Sequence, residues 1–252
     1  MKEHLIDELK KLASFKSKDY EQALKDIYIK MDEMLRTAYG KTKLQSYKKQ
    51  NDSQPSLFGR GNTDDIAFAA GCTACSAIIT PTEIYVGNSG DSRAVLARKP
   101  KTAGGKFRCI PMSEDHKPDN AEEKARIEKA GGFVEDNRVK GVLNLSRSIG
   151  DLEYKSDPKI KVADQMITAM PEVRKEKIDD AAFLIIACDG IWDCLTSNEA
   201  VDTVGDLLVN KKKDKVSQVI EDVFDRIIAT DVASGGGIGC DNMTCIIVQF
   251  KW

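Results

Sequence analysis

The sequence predicts an α+β domain in which helices cover the faces of β-sheets. Three observations support this. Helical periodicity fills the first forty residues, short strand-like runs follow between residues 66 and 98, and two amphipathic helices lie between the last two strongly apolar runs. No Pro, Ser or Gly tract resembles a linker, so residues 1–252 are expected to form a single domain.

The N-terminal segment has apolar residues at helical spacing, first Leu5, Leu9 and Leu12 and then the stretch from Leu24 to Leu35. We predict two helices that pack as an antiparallel pair, split near residues 16–18. Residues 40–63 are polar and contain few apolar side chains. They are therefore predicted to be a solvent-exposed surface insertion.

Short strand-like runs follow, separated by turn residues. We predict strands at Ile66–Ala70, Ala77–Thr80, Glu83–Asn88 and Ala94–Arg98. The residues SGDS at 89–92 are expected to form a tight hairpin between the last two of these strands.

The second half of the chain mixes helices with shorter strands. A helix is predicted over Ala121–Ala130, where two glycines stop it, and the pair Thr196 and Glu199 has the spacing of a capping box that opens another. An apolar stripe between Val216 and Ile228 predicts the last helix. Further strand-like pieces lie at Phe133–Val134, Arg138–Val139 and Phe183–Ala187.

Composition excludes several function classes. The 38 Lys and Arg residues nearly balance the 40 Asp and Glu residues, so a net charge of −2 gives no field that would recruit nucleic acid or a membrane surface. No apolar run is long enough to cross a bilayer, and the charged start lacks a signal peptide's apolar core. Seven cysteines, an odd number, favour reduced thiols, and we expect a cytoplasmic or nuclear monomer.

The strongest chemical signal is a pair of aspartates beside two apolar runs. Asp189 follows the run that ends at Ala187, and Asp241 precedes the run from Met243 to Phe250. If these runs pair as antiparallel neighbours, both carboxylates lie at the same rim of a sheet. Asp193, four residues after Asp189, and Asp115 in the segment SEDHKPD are two further candidates.

Clustered carboxylates indicate a cation site. Two carboxylates about 4 Å apart repel each other by roughly 4 kcal/mol at an effective dielectric near 20, and a bound cation removes that cost. Oxygen ligands without histidine select Mg²⁺ or Mn²⁺ over zinc. Each aspartate also has a plainer interpretation as a turn former, and Asp193 as a helix cap. The serine in an elbow-like context, Ser89, lacks the second glycine of a nucleophile elbow, so a serine hydrolase is a weak alternative.

Eight ordered motifs between about residues 66 and 250 resemble one family, the metal-dependent protein serine/threonine phosphatases of type 2C, or PPM family. The motifs are GCTA at 71–74, GNSGDSRAVL at 87–96, EDHKP at 114–118, RIEKAGGFV at 126–134, RVKGVLNLSRSIGD at 138–151, PEV at 171–173, FLIIACDGIWD at 183–193 and CDNMTCIIV at 240–248.

The resemblance implies an α-β-β-α sandwich of two antiparallel sheets flanked by helices, with a dinuclear Mg²⁺ or Mn²⁺ centre. In that family the counterparts of Asp189 and Asp241 bind a core metal, and those of Asp115, Asp189 and Asp193 form a weaker third site. A metal-bound water attacks the phosphorus of a phosphoserine or phosphothreonine, so the implied partner is a phosphoprotein. Asp91, Arg93 and Arg147 match residues expected to be structural.

The sequence departs from the family pattern at its start. The first two family motifs, an early strand with a phosphate-binding Arg and a metal-binding Glu-Asp, and the DGHGG loop with the general-acid His, have no counterpart. We therefore expect an N-terminally incomplete domain without its first strands, of low stability, and we assign no catalytic side chain. The sequence predicts a phosphatase whose activity is impaired in this chain. The alternative is a non-catalytic pseudophosphatase that acts as a binding module.

Overall fold

The computed structural model describes residues 3–47, 66–102, 104–209, 215–231 and 236–251. Its helices are α1 Leu5–Lys11, α2 Ala13–Lys16, α3 Tyr20–Arg36, α4 Ala38–Gln45, α5 Ile66–Ala69, α6 Ala121–Lys129, α7 Asp189–Trp192, α8 Ser197–Val209 and α9 Val216–Ile227. Its strands are β1 Gly71–Cys72, β2 Ala74–Ile79, β3 Glu83–Ser89, β4 Arg93–Arg98, β5 Arg108–Pro111, β6 Val134–Glu135, β7 Arg138–Val139, β8 Ile149–Gly150, β9 Glu172–Lys177, β10 Ala181–Ala187 and β11 Cys245–Gln249.

The chain forms two compact units. The first contains Met1–Ala74 and His116–Pro171, and the second contains Cys75–Asp115 and Glu172–Trp252. The single domain over residues 1–252 stays a prediction.

Helices dominate the first unit. The split of the N-terminal helices near residues 16–18 is confirmed, since α2 ends at Lys16 and α3 begins at Tyr20. Asp19 caps α3 by accepting a hydrogen bond from the backbone N–H of Gln22 at 3.1 Å. The buried side of α3 includes Leu24 and Ile27, which occupy the helical spacing seen in the sequence.

One prediction for this unit is wrong. The expected strand at Ile66–Ala70 is the single helical turn α5, closed by the Ala70 N–H donating to the Ile66 carbonyl at 3.0 Å. Alanine supplies half of that turn and favours helix over strand. The surface insertion over residues 40–63 stays a prediction, and its first residues belong to α4, which continues to Gln45. The rest of that insertion, residues 48–63, lies outside the described residues.

Charged side chains are buried inside the first unit. Asp32 on α3 accepts hydrogen bonds from the Lys155 ammonium and the Gly150 backbone N–H, both at 2.7 Å. Glu123 on α6 lies against Arg126 at 2.8 Å and Arg147 at 2.6 Å. The predicted helix over 121–130 is confirmed by α6, and the short strands predicted near 134 and 138 pair as the hairpin β6–β7.

The second unit contains two antiparallel sheets. The four-stranded sheet has the order β11-β10-β4-β5 and the three-stranded sheet has the order β2-β3-β9. Alternate residues of β4 enter two separate cores: Ala94 and Leu96 pack with Ile84 and Val86 of β3, whereas Val95 and Ala97 pack on the opposite face. β4 is buried on both faces, which is why its sequence is continuously apolar rather than alternating.

The predicted hairpin at 89–92 is wrong. β3 and β4 belong to different sheets, so this short segment crosses from one sheet to the other. Gly90 adopts φ +118°, a conformation that other residues rarely take. The buried Asn88 side chain fixes the crossing by donating to the carbonyl of Gly90 at 3.0 Å and to that of Glu114 at 2.9 Å.

Helices cover the outer face of the four-stranded sheet. The capping box that opens α8 is confirmed, with the Thr196 N–H and hydroxyl both donating to Glu199 at 2.9 and 2.7 Å. Val204 of α8 and Val223 of α9 pack in the same core as Val95. The predicted fold class, antiparallel sheets flanked by helices, is confirmed.

β11 lies at one edge of the four-stranded sheet. Its residue Ile246 is 54% exposed.

Within the described ranges, no helix combines the length and apolar character that a membrane span requires.

Candidate functional site

The two aspartates of the strongest sequence signal lie at the same rim of the four-stranded sheet. β10 and β11 pair antiparallel with Ala187 opposite Cys245, so β10 ends where β11 begins. The Cys188 N–H extends this pairing by donating to the Thr244 carbonyl at 3.1 Å. The strand pairing expected from the sequence is therefore confirmed, and it places Asp189 and Asp241 just outside the paired ends.

The loops that carry the two aspartates approach each other closely at Gly190. A side-chain carbon at position 190 would lie 2.3 Å from the Asn242 carbonyl oxygen and 3.5 Å from Cβ of Asp241. Glycine is therefore required here by space. Each carboxylate also accepts a hydrogen bond from the next backbone N–H, Asp189 from Gly190 at 3.0 Å and Asp241 from Asn242 at 2.7 Å.

The rim is electrostatically negative around Asp189. Burial raises the pKa of the Asp189 carboxyl, and the negative charges of Asp91, Asp241 and Asp193 raise it further. The hydrogen bond from Gly190 lowers this pKa but does not outweigh the other effects. Asp91, which the sequence reasoning assigned to structure alone, thus belongs to the same acidic region. Its position after the sheet crossing at Gly90 is a tertiary feature that local spacing does not reveal.

Asp115 is held by an arginine. Nε and Nη2 of Arg93 donate to its two carboxylate oxygens at 2.9 and 2.7 Å. Arg93 begins β4 opposite Ala187, so the pair lies at the same end of the sheet as Asp189. The hydrogen bond with Asp115 raises the pKa of Arg93, which keeps the guanidinium fully charged.

Asp193 follows directly after the short helix α7. Its N–H donates to the Asp189 carbonyl at 2.8 Å, which places the two residues one helical turn apart. Asp193 is the C-cap residue of α7 and does not cap a helix that follows Trp192, as the plainer interpretation predicted, and the residue is exposed. Its charge still contributes to the field at Asp189.

The chemistry of this donor set fits a hard divalent cation only in part. Asp189 and Asp241 supply oxygen ligands in a negative environment, as Mg²⁺ and Mn²⁺ prefer. Among the residues the structure describes, however, no group of three or more His, Cys, Asp or Glu side chains is arranged to hold a metal ion. Asp115 is bound to Arg93 at the same end of the sheet. The four-aspartate metal assignment stays a prediction.

Two other nucleophilic side chains near the rim, Cys245 and Ser89, are inert. Burial raises the pKa of the Cys245 thiol to about 12, so this cysteine stays protonated at neutral pH. Ser89 is fully buried at the sheet crossing, which agrees with a structural role. All seven cysteines are free of disulfides.

Comparison with known proteins gives a consistent picture. The protein phosphatase 2C family profile matches residues 1–234. The chain is 43% identical over 254 residues to probable protein phosphatase 2C 3 of Paramecium tetraurelia, covering 100% of this chain and 77% of that protein. It is 39% identical to probable protein phosphatase 2C 21 of Arabidopsis thaliana, covering 94% of this chain and 70% of that protein.

Two solved structures share the fold. A phosphatase from a pathogenic strain of Toxoplasma gondii matches 67% of this chain at 32% identity, with a TM-score of 0.55. The chain spans about half of that protein, 48% of its length. Serine-threonine phosphatase 2C from Toxoplasma gondii matches 96% of this chain and 72% of its own length at 21% identity, with a TM-score of 0.66.

Proposed function

Because this chain belongs to the protein phosphatase 2C family, we propose that it hydrolyses phosphoserine and phosphothreonine in proteins with the help of Mg²⁺ or Mn²⁺. Support comes from the relatives at about 40% identity along the chain and from the acidic rim. The implied partner is a phosphoprotein substrate.

One observation carries this proposal. The register of β10 and β11, together with the close approach at Gly190, brings Asp189 and Asp241 to one rim of the sheet. A phosphoryl group carries nearly two negative charges at neutral pH, so this rim on its own repels the substrate. A divalent ion bound there would neutralise the phosphoryl oxygens and lower the pKa of a bound water.

The chain's own residues would hold and orient such an ion. Asp189 and Asp241 supply carboxylate oxygens, and their bonds to the neighbouring N–H groups fix the direction of each side chain. The negative charges of Asp91 and Asp193 act on Asp189 and would add to the attraction for a cation. Arg93 fixes Asp115 beside them.

The direct test is hydrolysis of a phosphothreonine peptide in the presence of Mn²⁺. We expect slow turnover that requires Mn²⁺ and disappears in Asp189→Ala. Asp225→Ala is the matched control, because Asp225 is an exposed residue of α9 and is not among the charges that act on Asp189. Turnover that survives in Asp189→Ala, or that needs no divalent ion, would contradict the proposal.

A second function has its own supporting observation. Because Asp115 is bound to Arg93 and no three-residue ligand group is formed within the described ranges, the chain also fits a non-catalytic pseudophosphatase that acts as a binding module. Binding of the phosphothreonine peptide without any turnover, measured by calorimetry, would favour this alternative. An absence of both binding and turnover would exclude it.

The proposal also covers the cellular compartment and the oligomeric state of the protein. We place the protein in a reducing compartment, the cytoplasm or nucleus, because its seven cysteines form no disulfide. We propose that it acts as a monomer. Gel filtration with light scattering measures the second point directly.

A further inference from the structure

The contact between Arg93 and Asp115 uses the carboxylate in a way that competes with a metal ion. Two nitrogens of one guanidinium face the two oxygens of one carboxylate, at 2.9 and 2.7 Å. This bidentate arrangement is among the strongest pairings available to a carboxylate in a protein. One lone pair of each oxygen is therefore already directed at a protein cation, and a divalent ion would have to share this carboxylate with Arg93.

Arg93 is held in this position from two further sides. Its Nη1 donates to the Ser197 hydroxyl, at the start of α8, at 3.1 Å. Its guanidinium carbon lies 5.1 Å from the centre of the Trp192 ring, a distance typical of a cation–π contact. Trp192 is itself fixed by its indole N–H, which donates to the Ala187 carbonyl at 2.8 Å.

The pair is only partly accessible to solvent. The Arg93 and Asp115 side chains are 24% and 22% exposed, so water screens their attraction less than at an open surface. A divalent ion at Asp115 would have to displace this guanidinium or lie beside a positive charge. Either arrangement disfavours the ion.

We propose that Arg93 is a positioning residue that serves as a built-in cation for Asp115 and so limits the number of divalent ions that the rim can bind. The inference rests on the proposed function, because it concerns the same acidic rim. It departs from the ligand set that the sequence predicts, in which Asp115 binds a metal together with Asp189 and Asp193. In this proposal Asp115 forms an ion pair with Arg93, and Asp189 and Asp241 remain available to bind an ion.

The test measures the electron paramagnetic resonance signal of free Mn²⁺ at physiological salt. The decrease of this signal when protein is added gives the number of bound Mn²⁺ ions. Arg93→Gln removes the charge and the fork of donors. We expect this variant to bind one more Mn²⁺ than the wild type, or to bind Mn²⁺ at least tenfold more tightly. Arg93→Lys keeps the charge without the fork and is expected to stay close to the wild type in the number of ions bound.

The single variant Asp115→Asn shows whether Asp115 binds Mn²⁺ in the otherwise wild-type protein. The proposal expects little loss of Mn²⁺ affinity, under threefold, because Asp115 is not a ligand there. In Arg93→Gln the same Asn substitution should abolish the gain. A merely structural role for Arg93 would change melting temperature without producing a gain in bound Mn²⁺ that depends on Asp115.

Two results would overturn the inference. One is a loss of a bound Mn²⁺ in the single variant Asp115→Asn, which would show that Asp115 already binds metal. The other is an absence of any gain in a folded Arg93→Gln protein, checked by circular dichroism. If Arg93→Gln does not fold, Asp115→Asn alone decides. Mn²⁺ binding that is insensitive to Asp189→Ala would instead refute the proposed function, so the two failures are distinguishable.

Discussion

Arg147 binds both carboxylate oxygens of Glu123 inside the first unit. Its Nε donates to each oxygen at 3.1 Å and its Nη2 donates to Oε1 at 2.6 Å. Ser146 adds a hydroxyl donor at 2.5 Å. Glu123 is 3% exposed, so this carboxylate replaces nearly all of its water contacts with protein donors.

Glu123 should make the stability of the fold sensitive to acid. Burial alone would raise the pKa of its carboxyl, but the hydrogen bonds from Arg147 and the charges of Arg126 and Arg147 outweigh burial and lower the pKa from 4.5 to about 2. Because the folded-state pKa is depressed, this contribution is complete above pH 4.5 and is lost as the pH falls toward 2. It is on the order of 3 kcal/mol at neutral pH.

Urea unfolding between pH 7 and pH 3 measures this effect. Glu123→Gln should lower the free energy of unfolding at pH 7 and flatten its dependence on pH below 5. Glu128→Gln, in the same helix but 55% exposed, is the control. Equal pH dependence in both variants would contradict the assignment.

The buried pair of Asp32 and Lys155 predicts a strong non-additive effect. The two side chains are 4% and 2% exposed and lie 2.7 Å apart. Removing one partner leaves an unpaired buried charge, which costs about 3 to 5 kcal/mol. We expect Lys155→Met alone to destabilise the protein by that amount, and Asp32→Leu with Lys155→Met to recover much of the loss. Additive losses in a double-mutant cycle would show that the pair is not coupled.

Gly190→Ala should separate the two loops of the acidic rim. The added carbon would lie 2.3 Å from the backbone oxygen of Asn242, which cannot rotate away as a side chain could. We expect Mn²⁺ to bind at least fivefold more weakly, in the same resonance measurement. Gly104→Ala is the control for a general loss of stability, because its φ of +74° makes the substitution strained while the added carbon meets no atom within 4 Å. Unchanged Mn²⁺ affinity in Gly190→Ala would show that the loop spacing does not set the site.

The capping box of α8 predicts a modest loss of stability. Thr196→Ala removes the hydroxyl that accepts from the Glu199 N–H at 3.3 Å and donates to its carboxylate. A lost N-cap costs about 1 kcal/mol. Thermal unfolding should show a melting temperature lower by a few degrees, and Thr196→Ser should restore it. A Ser variant as unstable as the Ala variant would exclude the capping explanation.

The exposed edge strand β11 predicts self-association. Ile246 is 54% exposed on a strand with a free edge in the described sheet, and such edges pair with other chains. Ile246→Lys should reduce light scattering of concentrated protein without lowering the melting temperature. Val142→Lys, which replaces a similarly exposed apolar residue in a loop, should have no such effect.

The sequence was sufficient where a local pattern determines the structure. The apolar run into Asp189 and the run after Asp241 predicted two strands that would bring both carboxylates to one rim if they paired, and the structure has Leu184 opposite Val248. The capping box at Thr196 was equally local. Both predictions depended on residues that are close together along the chain or on strands whose ends are marked by polar residues.

The wrong predictions concern segments whose structure depends on residues that are distant along the chain. Glu83–Asn88 and Ala94–Arg98 were predicted correctly as strands, but nothing in SGDS shows that they join different sheets. That outcome depends on which strand each one pairs with: Val86 lies opposite Arg174, and Leu96 lies opposite Leu184. The ion pair of Arg93 and Asp115 also depends on tertiary structure. The sequence around each residue does not show which residue it will contact.

The crossing between β3 and β4 has a consequence for how the chain folds during synthesis. Each of these strands is completed by a partner about ninety residues later, β9 for β3 and β10 for β4, so the second unit has a high contact order. At a translation rate of roughly 5 to 20 residues per second, β3 and β4 leave the ribosome roughly 4 to 18 seconds before those partners. For that interval β4, which is buried on both faces in the folded protein, has no second neighbour, and a chaperone that shields β4 would raise the yield of native protein.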